Sequence, residues 1–385
     1  VPAPAPVSPV PALSPAASPL HFGLLDGLRG VAALAVVLFH FMELVETKPA
    51  NNFIAHAYLA VDFFFCLSGF VIAYAYDARL AQLGVGRFLR RRLIRLHPLV
   101  VVGALLGLLT FWLDPFSHLV DQYATRLPLL LLSSCLLVPY PVVTERYANL
   151  FHLNPPTWSL FWEYIANVAY ALVLVRLPAR LLKILLVPAA IALCYEARRT
   201  GWLGGGWGRE DAIAGFLRVT FSFLMGLLLY RANWLIRSRL GFGALALLLL
   251  GALLLPFIDR INWRVDSLVV LFYFPLLIAL GAGGQLTPRY AKLCRFLGDI
   301  SYPLYIVHYP FIWVFFSYLH KYQPPLSTLA LVIPTAMLAL VLLAYAVLKW
   351  IDIPVRSYLT RTFDQPTTLV SNRQAPAPVA PAAHP

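Results

Sequence analysis

Apolar runs about as long as a bilayer is thick recur along this chain, and its basic residues collect in the short stretches between them. A helix needs about 20 consecutive apolar residues to cross the hydrocarbon core. Runs of that kind lie near residues 24–42, 58–76, 96–113, 157–175, 181–197, 212–230, 241–258, 266–283, 302–319 and 326–349. Of the 385 residues, 60% are hydrophobic and 12% charged. A soluble chain of this length could not hide so much apolar surface in one core. The expected fold is an all-α integral membrane protein with about ten transmembrane helices.

The stretch LPLLLLSSCLLVP (127–139) is apolar, too short for a crossing, and bounded by prolines. It reads as the start of a re-entrant segment reaching to about residue 156, because irregular backbone at membrane depth must lie against protein or a cavity. The ends VPAPAPVSPVPALSPAASP and APAPVAPAAHP are Pro/Ala-rich and expected to be extended or disordered. Three regions follow: a tail over 1–19, a membrane domain over 20–363 and a tail over 364–385. The first tail has no basic stretch followed by an apolar one, so it is not expected to be a signal peptide.

The net charge is +13, from 30 Lys and Arg against 17 Asp and Glu. With the N-terminus in the cytoplasm, 19 of the basic residues face inward and nine outward, provided that 127–139 does not cross. That bias places both termini inside and explains the basicity without nucleic acid. The cysteines, Cys66, Cys135, Cys194 and Cys294, are scattered in neither a disulfide nor a metal pattern. Phosphate loops of the P-loop or dinucleotide type, HExxH and GxSxG are absent, and GWLGGGWG (201–208) follows no strand and falls in an outer loop.

A charge inside a membrane costs at least about 2.5–3.5 kcal/mol, so each one is a functional candidate. The first span holds Asp26, Arg29, His40 and Glu43. Arg29 and His40, eleven residues apart, project from one helix face with a rise of about 16 Å between them. Arg29 then sits near the cytoplasmic boundary and His40 well across. Histidine ordinarily titrates near neutrality, which suits a general base, and Glu43 is placed to orient the ring. The alternative is that Arg29 snorkels to lipid phosphates and His40 is a packed core residue.

The stretch RFLRRRLIRLHP (87–98) is the densest basic cluster, and Arg92 and Arg95 are i,i+3 neighbours. Such a surface suits a bound phosphate or anionic lipid headgroups equally. Ser159, Glu163, Asn167 and Tyr170 form one polar stripe on an apolar helix, facing either a wet cavity or an interhelical hydrogen-bonded seam. Ser301, Tyr305 and His308 share another face, with His308 a cavity candidate and Tyr302 an interfacial aromatic. Ser68 and Gly69 suggest a close helix approach.

Taken together, LDGLRGVAALAVVLFH (25–40), FFFCLSGFVI (63–72), RRRLIRLHP (90–98), PTWSLFWEYI (156–165) and DISYPLYIVHYP (299–310) resemble the acyltransferase family 3 of membrane enzymes, in the family's order and over nearly the whole membrane region. The resemblance implies a multi-pass protein of the bacterial inner membrane that moves an acyl group, usually acetyl, from cytoplasmic acyl-coenzyme A to a hydroxyl of a glycan beyond the membrane. Exopolysaccharide is the first expectation for the acceptor and lipopolysaccharide O-antigen the second. It implies catalytic roles for His40 and Glu163, coenzyme A contacts for Arg29, Arg92 and Arg95, and substrate or cavity positions for Asp26, Trp158, Ser159, Tyr305 and His308. Acyl-coenzyme A is then the donor, with no metal, and the bilayer and the glycan are the other partners. A lipid or small-molecule acceptor, or transport of a lipid-linked glycan, are the competing functions.

Overall fold

The structure, a computed structural model, describes residues 22–364. The expectations for residues 1–19 and 365–385 lie outside the described residues. Helices account for most of the described chain: α1 (Gly23–Val45), α2 (Ala55–Tyr76), α3 (Val85–Trp112), α4 (Leu127–Leu136), α5 (Thr157–Leu172), α6 (Ala179–Thr200), α7 (Ala212–Arg231), α8 (Phe242–Leu253), α9 (Asn262–Gly283), α10 (Pro288–Tyr322) and α11 (Leu326–Phe363). Among the described residues there is no strand, and one isolated antiparallel bridge joins Asn149 to Gly208.

Each apolar run picked out in the sequence falls on one of these helices. Six of them, α1, α2, α3, α7, α9 and α11, are long and apolar enough to cross a membrane. The other four differ for local reasons. Helix α5 stops after 16 residues and α8 after 12. Helix α6 carries Arg180, Lys183, Glu196, Arg198 and Arg199, and α10 carries Arg289, Lys292, Arg295 and Asp299 in its first half.

The largest helix pairings are α1 with α10 and α2 with α7. The second depends on two facing glycines. A Cβ on Gly69 would overlap the Phe223 carbonyl, and one on Gly226 would overlap the Cys66 carbonyl. Backbones can touch there only because neither residue has a side chain, as in other membrane helix pairs.

Ion pairs and hydrogen bonds fix the helix ends. Arg231 on α7 forms two bonds to Asp77, at 2.6 and 2.8 Å, and reaches the Leu174 and Leu177 carbonyls after α5. Tyr170 on α5 donates to the same Asp77 carboxylate at 2.8 Å. At the start of α3, Arg90 donates to the Phe363 carbonyl and Arg91 to Asp364, so the end of α11 lies beside the basic cluster. Phe22 meets Phe70 and Tyr74 edge-on at the end of α2. Both ends of the described chain thus lie on the face that carries the basic segment.

The segment between α3 and α5 leaves and rejoins the bundle on the opposite face. Asp114, just after α3, pairs with Arg146 at 3.1 Å and accepts from Ser317 near the end of α10 at 2.6 Å. In between, Leu136 and Leu137 reach down to share an apolar groove with His97 and Tyr164. Asn154 donates to the Ile306 carbonyl at 2.9 Å, at mid-height on α10.

Candidate active site

The shared face of α1 that carries Arg29 and His40 borders two cavities, one near each end of the helix. The first, of about 210 Å³, is lined by Arg29, Ser68, Arg92, Arg95, Ser159, Glu163, Ser301 and Tyr302. The second, of about 240 Å³, is lined by His40, Glu43, Tyr58, Tyr147, Trp158, Trp202, Trp207 and Arg218. Val61 of α2 and Tyr305 of α10 border both and form the wall between them.

In the first cavity the arginines are held on defined partners. Arg29 donates from Nε to Ser301 Oγ at 2.8 Å and from Nη2 to the Gly298 carbonyl at 2.7 Å, with Asp26 at 3.5 Å. Arg92 Nη2 donates to Glu163 Oε1 at 2.9 Å, and Ser68 Oγ donates to the same oxygen at 2.8 Å. Arg92 Nε is buried with no hydrogen-bond partner, and Arg95 makes no hydrogen bond or ion pair among the described residues. Three cations against the one carboxylate of Glu163 leave this lining positive, with unused donors that suit phosphate oxygens.

In the second cavity, His40 Nδ1 lies 2.6 Å from Glu43 Oε1. A carboxylate only accepts, so Nδ1 is the donor, and in the neutral form of the ring Nε2 is the nitrogen with the lone pair. The His40 ring stacks on His308 at 5.3 Å between centroids and meets Tyr309 edge-on at 4.8 Å, which limits its rotation. Tyr147, in the loop before α5, has its hydroxyl pushed above its ordinary pKa by burial and then by the Glu43 carboxylate. At the wall, the Ser159 and Tyr305 hydroxyls are hydrogen-bonded at 2.8 Å, and the one that accepts in that bond donates its own proton to the Pro156 carbonyl, which lies 2.9 Å from Ser159 and 3.2 Å from Tyr305.

The structure gathers Arg29, Arg92, Arg95, Ser159, Glu163 and Tyr305 around the first cavity. Three residues stand elsewhere. Glu163 was expected to act with His40, but its carboxylate is on Arg92 and Ser68 in the other cavity. Its place four residues after Ser159 on α5 sets it more than one turn toward the basic face. His308 is fully buried behind the His40 ring and lines neither cavity, because its side of α10 packs into α1. Asp26 lines neither cavity and lies 3.5 Å from Arg29, which lines the first. Trp158 lines the second cavity, with the Arg218 guanidinium 5.3 Å from its ring. Tyr302, expected as an interfacial aromatic, lines the first cavity and donates to the Leu96 carbonyl at 2.6 Å.

A second ionic centre was missed. Arg218 on α7 is buried and clasps Asp62 on α2 through Nε and Nη2 at 2.6–3.2 Å, while also donating to the Tyr58 and Gly205 carbonyls. Beside it, buried Asp266 accepts from the Tyr58 hydroxyl and the Leu203 amide, both at 2.8 Å. An Asp and an Arg placed singly in two apolar spans were the only available signal, and their separation of 156 residues hides the pairing.

The acyltransferase 3 family profile, described as an acyltransferase domain, matches residues 22–348. A relative from Rhizobium radiobacter, "Protein 2 in picA locus", is 36% identical over 192 residues, covering 46% of this chain and 96% of its own length. No solved structure matches. The matched region contains every residue of both cavities, and the chain belongs to the acyltransferase 3 family.

Proposed function

We propose that this chain is a multi-pass membrane O-acyltransferase that moves an acyl group, acetyl first, from cytoplasmic acyl-coenzyme A to a hydroxyl of an exported or cell-surface glycan. One observation carries the reading: a phosphate-suited arginine cavity and a His40–Glu43 cavity stand at the two ends of one helix face, separated by a single wall.

In this reading the helices cross the bacterial inner membrane about ten times, with residues 127–156 re-entrant. An even number of crossings fits the common face of the two described ends, and the basic segment there fits the cytoplasm. Coenzyme A enters from that side with its phosphates on Arg92, Arg95 and Arg29. Glu163 holds Arg92 in place as a positioning residue. The thioester reaches the wall at Tyr305. The acceptor hydroxyl gives its proton to His40 Nε2 as its oxygen bonds to the thioester carbon. The carbon–sulfur bond then breaks, and the thiolate takes the proton back from His40. Exopolysaccharide is the first choice of acceptor and O-antigen the second.

The test is transfer of radiolabelled acetyl from acetyl-coenzyme A by the purified full chain, wild type beside His40→Ala. Turnover lost with acetyl-coenzyme A binding retained supports the assignment. A folded wild type that neither binds nor consumes acetyl-coenzyme A overturns it.

A further inference from the structure

The glycine-rich loop 201–208 is the one sequence motif that the acyl-transfer reading leaves without a role, yet much of the second ionic centre is spent on holding it. Its Leu203 amide is bound by buried Asp266, and its Gly205 carbonyl by buried Arg218. The Trp207 carbonyl accepts from the Leu150 amide at 2.9 Å. Gly206 has a φ of +121°, and a Cβ there would meet Gly215 and Trp158 at 2.8 Å. An irregular loop tied to two buried charges costs stability that a passive connection would not need.

What the loop presents is a pair of aromatic faces. Trp202 meets Tyr58 edge-on at 5.0 Å, and the Trp207 indole nitrogen donates to the Gly204 carbonyl at 3.1 Å, which fixes the ring plane. Both indoles remain partly exposed and line the His40 cavity. Tyr147 meets Trp207 edge-on, at 6.4 Å between centroids, and lines the same cavity. Tyr147 and Ala148 have φ values of 60° and 45°, a left-handed pair that non-glycine residues adopt at a cost and that gathers at functional sites. The same loop is braced by Tyr123, whose hydroxyl donates to Glu145 at 2.7 Å.

Flat aromatic faces edged by His40, Glu43 and Asn149 suit a molecule with an apolar C–H face and a rim of hydroxyls. A pyranose ring has that form, and its C–H bonds meet the negative face of an indole favourably. A lipid alcohol offers no such rim and would leave the polar edge unpaired.

We infer that the loop Gly201–Gly208 is the acceptor-recognition element, and that Trp207, with Trp202 and Tyr147, stacks on a saccharide ring beside His40. The inference rests on the acyl-transfer reading and adds to it the residues that select the acceptor. The experiment uses the purified full chain with acetyl-coenzyme A and neutral oligosaccharides as acceptors. It compares wild type with Trp207→Ala and Trp207→Tyr. Trp207→Ala should raise the oligosaccharide KM about tenfold while kcat and the acetyl-coenzyme A Kd stay within about twofold. Trp207→Tyr should recover most of that loss, which a folding defect would not do. An unchanged KM in Trp207→Ala overturns the inference. So does transfer to a long-chain alcohol but to no oligosaccharide, an outcome that keeps acyl transfer from acetyl-coenzyme A and overturns the glycan acceptor together with the role of the loop. A wild type inert toward acetyl-coenzyme A removes both.

Discussion

Replacing Glu43 by Gln is the sharpest probe of how the second cavity works, because it changes charge and almost nothing else. The His40–Glu43 contact is 2.6 Å long, with the two side chains 19% and 33% exposed. A hydrogen bond to a charged group contributes about 1.5–3 kcal/mol and a neutral one about 0.5–1.5 kcal/mol. Losing the charge as the imidazolium forms should therefore raise the barrier by roughly 1–1.5 kcal/mol, or about tenfold in kcat. Solvent at Glu43 screens part of this, so a fall of about three- to tenfold is expected. The amide oxygen of Gln still accepts from Nδ1, so the tautomer is kept. His40→Ala removes the base itself and should cost about 10²–10⁴-fold. The assay is the initial rate of labelled acetyl transfer at saturating acetyl-coenzyme A, with donor affinity measured separately. A fall in Glu43→Gln as large as in His40→Ala would make Glu43 the base and refute the assignment. Full turnover in His40→Ala would refute it more directly.

Arg92→Ala and Arg95→Ala should each weaken acetyl-coenzyme A binding about ten- to a hundredfold in equilibrium titration, the worth of a charged hydrogen bond, and leave His40 unaffected. Asp62→Ala strands the Arg218 guanidinium in the bundle and should cost about 3–5 kcal/mol, seen as a lower unfolding temperature in detergent. The Asp62→Leu, Arg218→Leu double variant should recover part of that stability while losing the tie to the loop at Gly205. Gly226→Val should prevent α2 and α7 from meeting and abolish folded protein on size exclusion, whereas Gly251→Ala, with open space around it, should be tolerated.

Much of the architecture was legible because one rule dominates in lipid: backbone polar groups must be satisfied within the segment, so length and hydropathy mark the helices. The same rule says little about depth. Arg29 and His40 could be set on one face from helical periodicity, since both belong to a single helix. Glu163 could not be separated from His40, because that requires the height of α5 relative to α1. The Asp62–Arg218 pair was hidden for the same reason, each residue being a lone charge in its own span. Arg146 lies between two spans, where a charge count treats it as solvated, yet it is buried against Asp114, Phe111 and Trp313. A sum of basic residues cannot distinguish a solvated arginine from one that staples a returning segment.

The wall formed by Tyr305 and Val61 has an electrical consequence. An enzyme whose two substrates arrive from opposite sides needs a route through the membrane, and a route open from end to end would be a leak. Each elementary charge driven across a potential of 100 mV releases about 2.3 kcal/mol, and a passage lined by arginines, a histidine and carboxylates would conduct. Tyr305, hydrogen-bonded to Ser159 at 2.8 Å, and Val61 stand between the two cavities. In the proposed reaction, the wall insulates the cell at the point where the acyl group passes.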